Sequence, residues 1–316
     1  MKHIAIITLA AAVLAMGGCT KKSLKSYILA TGGTSGTYYP FGSAIAAIWN
    51  ANIDGTNVTI QATGASAENL RLISAGLADF GIVQNDVMDY AFHGSDMFDA
   101  SLPKLTAIGT LYPEVVHVAT SKKSNIKTIA DLRGKRVSVG DAGSGVEFNA
   151  KQLLESYGMT FDDIQKSNLS FRESAEKIQN DTLDACFVTS GVPNAALEQL
   201  AFAAGLELLP IGEAEADRLC DKYGFYTKAI IPAGTYSGTD TDVAVLAVKA
   251  MLAVNEALDT DTVYTMTRVL FESLDTLTEA HEKGCEVSAA AAVTGVSVPF
   301  HPGALKYFKE IGLTIR

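Results

Sequence analysis

Two glycine-rich stretches carry residues whose types and spacing could do chemistry: Thr31-Gly-Gly-Thr-Ser-Gly-Thr-Tyr-Tyr-Pro40 and Gly140-Asp-Ala-Gly-Ser-Gly145. Each follows a strand-like run (Tyr27–Ala30, Arg136–Val139) and opens a helical one (Phe41–Asn50, Phe148–Tyr157). A turn of this kind lets backbone N–H groups at a helix start face a ligand, and the helix dipole favours an anion there. Gly33 frees the backbone, Thr37 adds a hydroxyl, Tyr38 offers a flat wall and a phenol, and Pro40 suits a first helical turn. The plain alternative is a strand-to-helix turn capped by Thr37. Two such loops far apart in one chain suggest a site built between two lobes.

Nucleotide and nucleophile readings fail on spacing. The first loop has no G-x-G-x-x-G, and no Lys followed by Ser or Thr after its last glycine. Ser144 is no nucleophile elbow, because Ala142 and Val146 stand where that motif needs glycine. The histidines (His3, His93, His117, His281, His301) form no i, i+4 pair, so neither a metal site nor a cofactor is expected, and His117, in an apolar run, reads as structural. Other polar groups sit at junctions between runs. Ser66 can cap a helix, and Asn69 carries an amide that both donates and accepts. Gln84 and Asp86 follow the strand Phe80–Val83, at the end where parallel sheets present ligand groups. Thr189 and Ser190 end another strand. Capping alone explains Ser66 and a turn with exposed polar residues explains Gln84 and Asp86, whereas Asn69 is the better candidate for a contact. No constellation of nucleophile and base emerges, which favours binding over turnover.

The elements that would position these groups alternate between strand and helix. Strand-like runs recur from Val58–Ala62 to Ala229–Ile231, with helical windows such as Ala67–Ala75 and Ala195–Ala204 between them, which predicts an α/β architecture with parallel sheets. Pro193 reads as the start of the second of these windows. The last third reads as mostly helical, over Asp242–Glu256, Asp261–Glu272, Leu274–His281 and Ala304–Ile311. Extended crossings at Tyr112–Thr120 and Ile230–Tyr236 divide the chain into lobe 1 (27–115 plus 232–316) and lobe 2 (116–231), with a cleft between them.

A chain of 316 residues, 48% hydrophobic and 19% charged, is long enough for two such domains. A formal net charge of −10 without a basic patch argues against a nucleic-acid partner. Residues 1–19 read as a lipoprotein signal peptide: Lys2 and His3, an apolar run Ile4–Ala15 too short to span a bilayer, and Met16-Gly-Gly-Cys19. Cys19 would become a lipidated N-terminus and residues 20–26 a polar tether, which places the protein outside the cytoplasm, periplasmic or at the cell surface, anchored to a membrane. Ordinary cleavage with an incidental Cys19 is the alternative. An oxidising compartment permits a Cys220–Cys285 disulfide, whereas Cys186 lies in an apolar strand and reads as core.

The segments taken in order resemble the TAXI-type solute receptors of TRAP transporters, over nearly all of the mature sequence. The resemblance rests on Thr31–Pro40, Ala62–Asn69, Ala78–Asp86, Ile129–Val137, Val139–Gly145, Gly191–Leu197, Ile231–Tyr236 and Phe300–Ala304. It implies a two-lobed periplasmic-binding-protein fold of the second topological type, with two mixed or parallel sheet domains joined by a two-crossing hinge. It also implies capture of a small organic anion or amino acid, of glutamate or dicarboxylate type, and delivery to TRAP membrane permease subunits driven by an ion gradient. Carried over, the ligand-binding residues are Gly33, Thr37, Tyr38, Ser66, Asn69, Gln84 and Asp86 in one lobe. The other lobe supplies Gly143, Ser144, Gly145, Thr189 and Ser190. Val146 departs from the Thr often found there, and Lys283-Gly-Cys285 departs from the family pattern as well.

Two rivals share this scaffold. An exported enzyme using Ser144 or Tyr38 lacks an evident base. A ligand-sensing receptor passing occupancy to a signalling partner is the alternative to transport, and the chain alone does not separate the two.

Overall fold

The computed structural model describes residues 24–315. The signal-peptide and tether assignments up to residue 23, Cys19 included, lie outside the described residues. Ten strands form one mixed sheet: β1 (Lys25–Ala30), β2 (Thr56–Gln61), β3 (Phe80–Gln84), β4 (Leu105–Ser121), β5 (Arg136–Ser138), β6 (Gln165–Ser167), β7 (Ala185–Ser190), β8 (Leu206–Leu208), β9 (Thr227–Ile231) and β10 (Val243–Asn255). Helices α1 (Tyr38–Asn52), α2 (Ser66–Ala75) and α3 (Asn85–His93) follow β1, β2 and β3. Helices α4 (Gly145–Ser156), α5 (Phe171–Gln179), α6 (Ala195–Ala204) and α7 (Glu213–Tyr223) alternate with β5 to β9. After β10 come α8 (Thr260–Glu272), α9 (Leu274–Ala280), α10 (Ala289–Ala292) and α11 (Pro302–Glu310).

The main strand order is β2-β1-β3-β10-β4-β7-β5-β6, with β9 beside β10 and β8 beside β4. Pairs joined by crossover helices are parallel: β1 with β2 and β3, β5 with β6 and β7. The two long central strands, β4 and β10, run antiparallel to each other and to their other neighbours.

These two strands serve three buried clusters, one of which joins Leu105 and Ala107 of β4 and Met251 and Ala253 of β10 to Leu70 of α2 and Phe148 of α4. Ile108 and Leu111 of β4, with Ala250 and Leu252 of β10, pack with Phe41, Trp49 and Phe308. Further along, Val116 and Val118 of β4, with Leu246 and Val248 of β10, pack with Leu153, Phe187 and Leu197. The chain therefore passes between cores in mid-β4 and mid-β10, and the β10–β4 register shifts between Lys249 and Met251, at the second passage. An irregularity there bends a strand locally, a suitable place for two lobes to pivot.

Three expectations need correction. Asp242–Glu256 is not a helix but strand β10. Its run of Ala, Val, Leu and Met lacks a clear period because both faces of a central strand are covered, and such a run reads equally well as a buried helix. The second crossing moves with it: Tyr236, Val243 and Val245, assigned to lobe 1 by residues 232–316, pack in the same core as lobe 2. Finally, Cys220 and Cys285 are both free. Cys220 sits on α7 against the second core, while Cys285 is exposed in the turn Glu282–Glu286, which packs on α9. Cys186 is buried, as its apolar strand implied. Pro193 lies just outside α6, whose cap is Asn194, its side chain accepting from the N–H groups of Ala196 and Leu197.

Candidate functional site

Where the two cores face each other lies a cavity with about 40 Å³ of room for the centres of water-sized molecules. Helices α1, α2 and α4 begin on it. Nine of the twelve residues singled out in the sequence line it: Gly33, Thr37, Tyr38, Ser66, Gln84, Ser144, Gly145, Thr189 and Ser190.

Local sequence explains why helix starts converge here. Gly140 sits at φ +83°, and a Cβ there would stand 2.7 Å from that of Val146, so only glycine lets β5 turn directly into α4. Ser144 then caps α4, its hydroxyl accepting from the Glu147 N–H. Thr37, expected to cap α1, makes no side-chain cap. Its Oγ1 instead accepts from the Gly191 N–H at 3.1 Å, linking the first loop to the end of β7.

Three candidates lie off the cavity. Asn69 is fully buried, its amide donating to the carbonyls of Thr31 and Ile82 at 2.6 and 2.8 Å and so tying α2 to the end of β1 and the middle of β3. Asp86 lies behind the cavity, where its Oδ2 accepts from Asn149 Nδ2 at 3.0 Å. Among the described residues its Oδ1 has no partner, and burial pushes its carboxyl up to about 7. Gly143 supplies a carbonyl that accepts from the Ala67 N–H at 3.1 Å.

The sequence reading missed Glu114, Asp141, Ser170 and Phe171 on the wall. Glu114 carried one signal: it is the lone acid in the 17-residue strand β4. It is 2% exposed, and Tyr38 Oη donates to its Oε2 at 2.5 Å. Burial holds Glu114 well above the usual carboxylate range, and the charge of Asp86 pushes the same way, against the Tyr38 hydrogen bond. Burial likewise raises Tyr38. Asp141 is raised by burial, with Glu173 and Glu68 adding to it. Gln84 Oε1 is buried without a partner, and its side chain presses against Gly145 of the opposite loop. Among the described residues, no Lys, Arg or His lines the cavity.

Contacts across the cleft are direct. Besides Thr37 with Gly191 and Asp86 with Asn149, the Arg172 N–H donates to Ser35 Oγ at 3.3 Å, and Phe148 of α4 stacks on Tyr90 of α3. Gln152 Nε2 donates to Tyr90 Oη and Asp96 Oδ2 at 3.1 and 2.8 Å. The two sides thus stand in a closed arrangement.

A family model described as the NMT1-like family matches residues 29–312. Solved structures share the fold at low identity. The periplasmic aliphatic sulphonate binding protein SsuA from Escherichia coli matches with a TM-score of 0.52 and 15% identity, over 90% of this chain and 78% of its own. The alkanesulfonate-binding SsuA from Xanthomonas axonopodis pv. citri, bound to MOPS, gives 0.51 and 14%, over 90% and 83%. An ancestral arginine-binding protein bound to arginine gives 0.53 and 13%, over 82% and 97%. The architecture is thus the two-lobed α/β fold of periplasmic binding proteins.

Proposed function

The chain belongs to the NMT1-like family, and we propose that it is an extracytoplasmic solute-binding protein that closes on a small carboxylate-bearing solute. The observation carrying this reading is the cavity itself, enclosed between two cores with three helices beginning on it. Backbone N–H groups there suit an anion without a fixed cation. The sulphonates and arginine held by proteins of this fold also carry an anionic group. In this proposal the bound solute favours the closed state because donors from both sides reach it only there. The loaded protein then delivers its solute to TRAP-type permease subunits driven by an ion gradient. Cys19 carries the lipid anchor, and a Cys19→Ala protein is expected in the soluble fraction. Catalysis is not part of this reading.

Thermal unfolding with a panel of succinate, 2-oxoglutarate, L-glutamate, L-arginine and ethanesulfonate tests it. A carboxylate at ~100 times its Kd adds about 2.7 kcal/mol to stability and raises Tm accordingly. Absence of any shift, together with no carboxylate found by native mass spectrometry in the purified protein, would overturn the carboxylate assignment. A shift with ethanesulfonate alone would reassign the solute to sulfonates. Uptake by vesicles holding the permease subunits separates transport from sensing.

A further inference from the structure

We propose that Glu114 is a specificity-determining residue that meets the solute as an uncharged carboxylic acid, donating its proton from Oε1 to a carboxylate oxygen of the ligand. This rests on the carboxylate reading above and names the group that replaces a cation in the cavity.

The argument is one of direction. A backbone N–H can only donate, and the N–H of Gln84 donates to Ser66 Oγ at 3.1 Å. The Ser66 hydroxyl keeps its proton and a second lone pair, and it lowers Tyr38 as a donor to the phenol would. Tyr38 in turn donates to Glu114 Oε2 at 2.5 Å. With Tyr38 donating to Oε2, that oxygen is held as an acceptor and a proton on this carboxyl resides on Oε1. Glu114 lines the cavity, and among the described residues no donor or acceptor engages Oε1.

The surroundings favour the neutral acid. Tyr38 on α1 and Tyr112 on β4 itself are phenols that burial keeps neutral. Asp86 at the start of α3 is an acid, and Asp141 before α4 is a second acid on the wall. In the turn Glu282–Glu286, Lys283 Nζ is paired with Glu286 Oε1 at 2.6 Å. Its neighbour across β10, Val248, carries no charge, nor does Ser190, which pairs with the adjacent Val115 on β7. Only the Tyr38 hydrogen bond offsets the cost of an ionised Glu114 away from water, and burial outweighs it. A neutral acid facing the cavity can receive a carboxylate as a charge-assisted hydrogen bond, where an ionised one would repel it.

The test is isothermal titration of the purified protein with succinate, 2-oxoglutarate and L-glutamate, from pH 5 to 9. Asp86 titrates nearby, so wild type and Glu114→Gln are compared in an Asp86→Asn background as well. For the carboxylate that binds, affinity should hold at low pH and fall by up to ~tenfold per pH unit once Glu114 ionises. Glu114→Gln keeps a donor, so it should bind within ~fivefold and lack that decline. Tyr38→Phe removes the hydrogen bond that favours the ionised form, so the decline should move to higher pH. A ~hundredfold loss in Glu114→Gln with affinity rising toward high pH in wild type would overturn the inference, since Glu114 would then be the anion facing a ligand cation. A decline that survives unchanged in Glu114→Gln would overturn it too. If none of the three carboxylates binds wild type or variant, the carboxylate reading has failed and this inference falls with it.

Discussion

Gln84 and Gly145 meet across the cleft so closely that a Cβ on Gly145 would overlap the Gln84 amide. One ends a strand of the first core and the other begins a helix of the second. Closure to this distance is therefore open only to glycine at position 145, whose φ is not in the left-handed region. The backbone itself would accept alanine. Gly145→Ala should leave the ligand-free protein within about 0.5 kcal/mol of wild type, as a substitution without backbone strain does. With Gln84 driven into the cavity or the lobes held apart, solute affinity should fall ~tenfold or more. Calorimetric titration beside urea unfolding separates the two effects.

Thr37 and Gly191 make a second bond across the cleft. Thr37→Val keeps the shape but leaves the Gly191 N–H facing a methyl group in a buried place. An unsatisfied buried donor costs about 1–3 kcal/mol, and here the cost falls on the closed state alone. Affinity should drop by ~5- to 100-fold through a faster dissociation rate, with little change in the ligand-free Tm. Stopped-flow release of bound solute measures it.

The loops of this site were legible in the sequence because each needs glycines and hydroxyls close together, as in Gly32 to Thr37 and Gly143 to Gly145. Glu114 was not, since a lone acid in an apolar strand shows neither which way it faces nor that Tyr38, 76 residues earlier, reaches it. Asn69 shows the converse. Its amide looked suited to a ligand, yet the carbonyls of Thr31 and Ile82 claim it, a use visible only once β1 and β3 lie side by side. β10 escaped because a strand covered on both faces loses the alternation that marks it as one.

Acid–base titration offers a prediction with a definite sign. Burial raises Asp86 to about 7, against about 3.9 in an unfolded chain. The fold then binds more protons than the unfolded chain between those values, so stability is full below about pH 4 and is lost as pH rises through about 7. The loss should be on the order of 2–4 kcal/mol by pH 8. Asp86→Asn, whose amide oxygen can still accept from Asn149, should remove most of that decline. Urea unfolding at pH 5 and pH 8 checks it.

His117 should act with the opposite sign. Its Nδ1–H donates to the Val188 carbonyl at 3.0 Å, which leaves Nε2 to accept from Tyr236 Oη at 3.0 Å. Tyr236 Oη accepts from the Asn194 N–H at 3.0 Å, so the ring positions the segment that carries Gly191 to the cleft. Burial lowers His117 to about 4, from about 6.5 unfolded. Its contribution is therefore present above about pH 6.5 and lost as pH falls through about 4. Between those values it offsets the trend from Asp86, so wild-type stability should change little there. Asp86→Asn should unmask a fall of about 1–3 kcal/mol on acidification from pH 6.5 to 4. Adding His117→Gln, which can donate from its amide but does not titrate, should flatten that fall while lowering stability at neutral pH. Nitrogen NMR of the ring in wild type should show a neutral imidazole protonated at Nδ1 down to about pH 4. A ring that titrates near 6.5 would mean that this chain from Val188 through His117 and Tyr236 to Asn194 does not hold in solution.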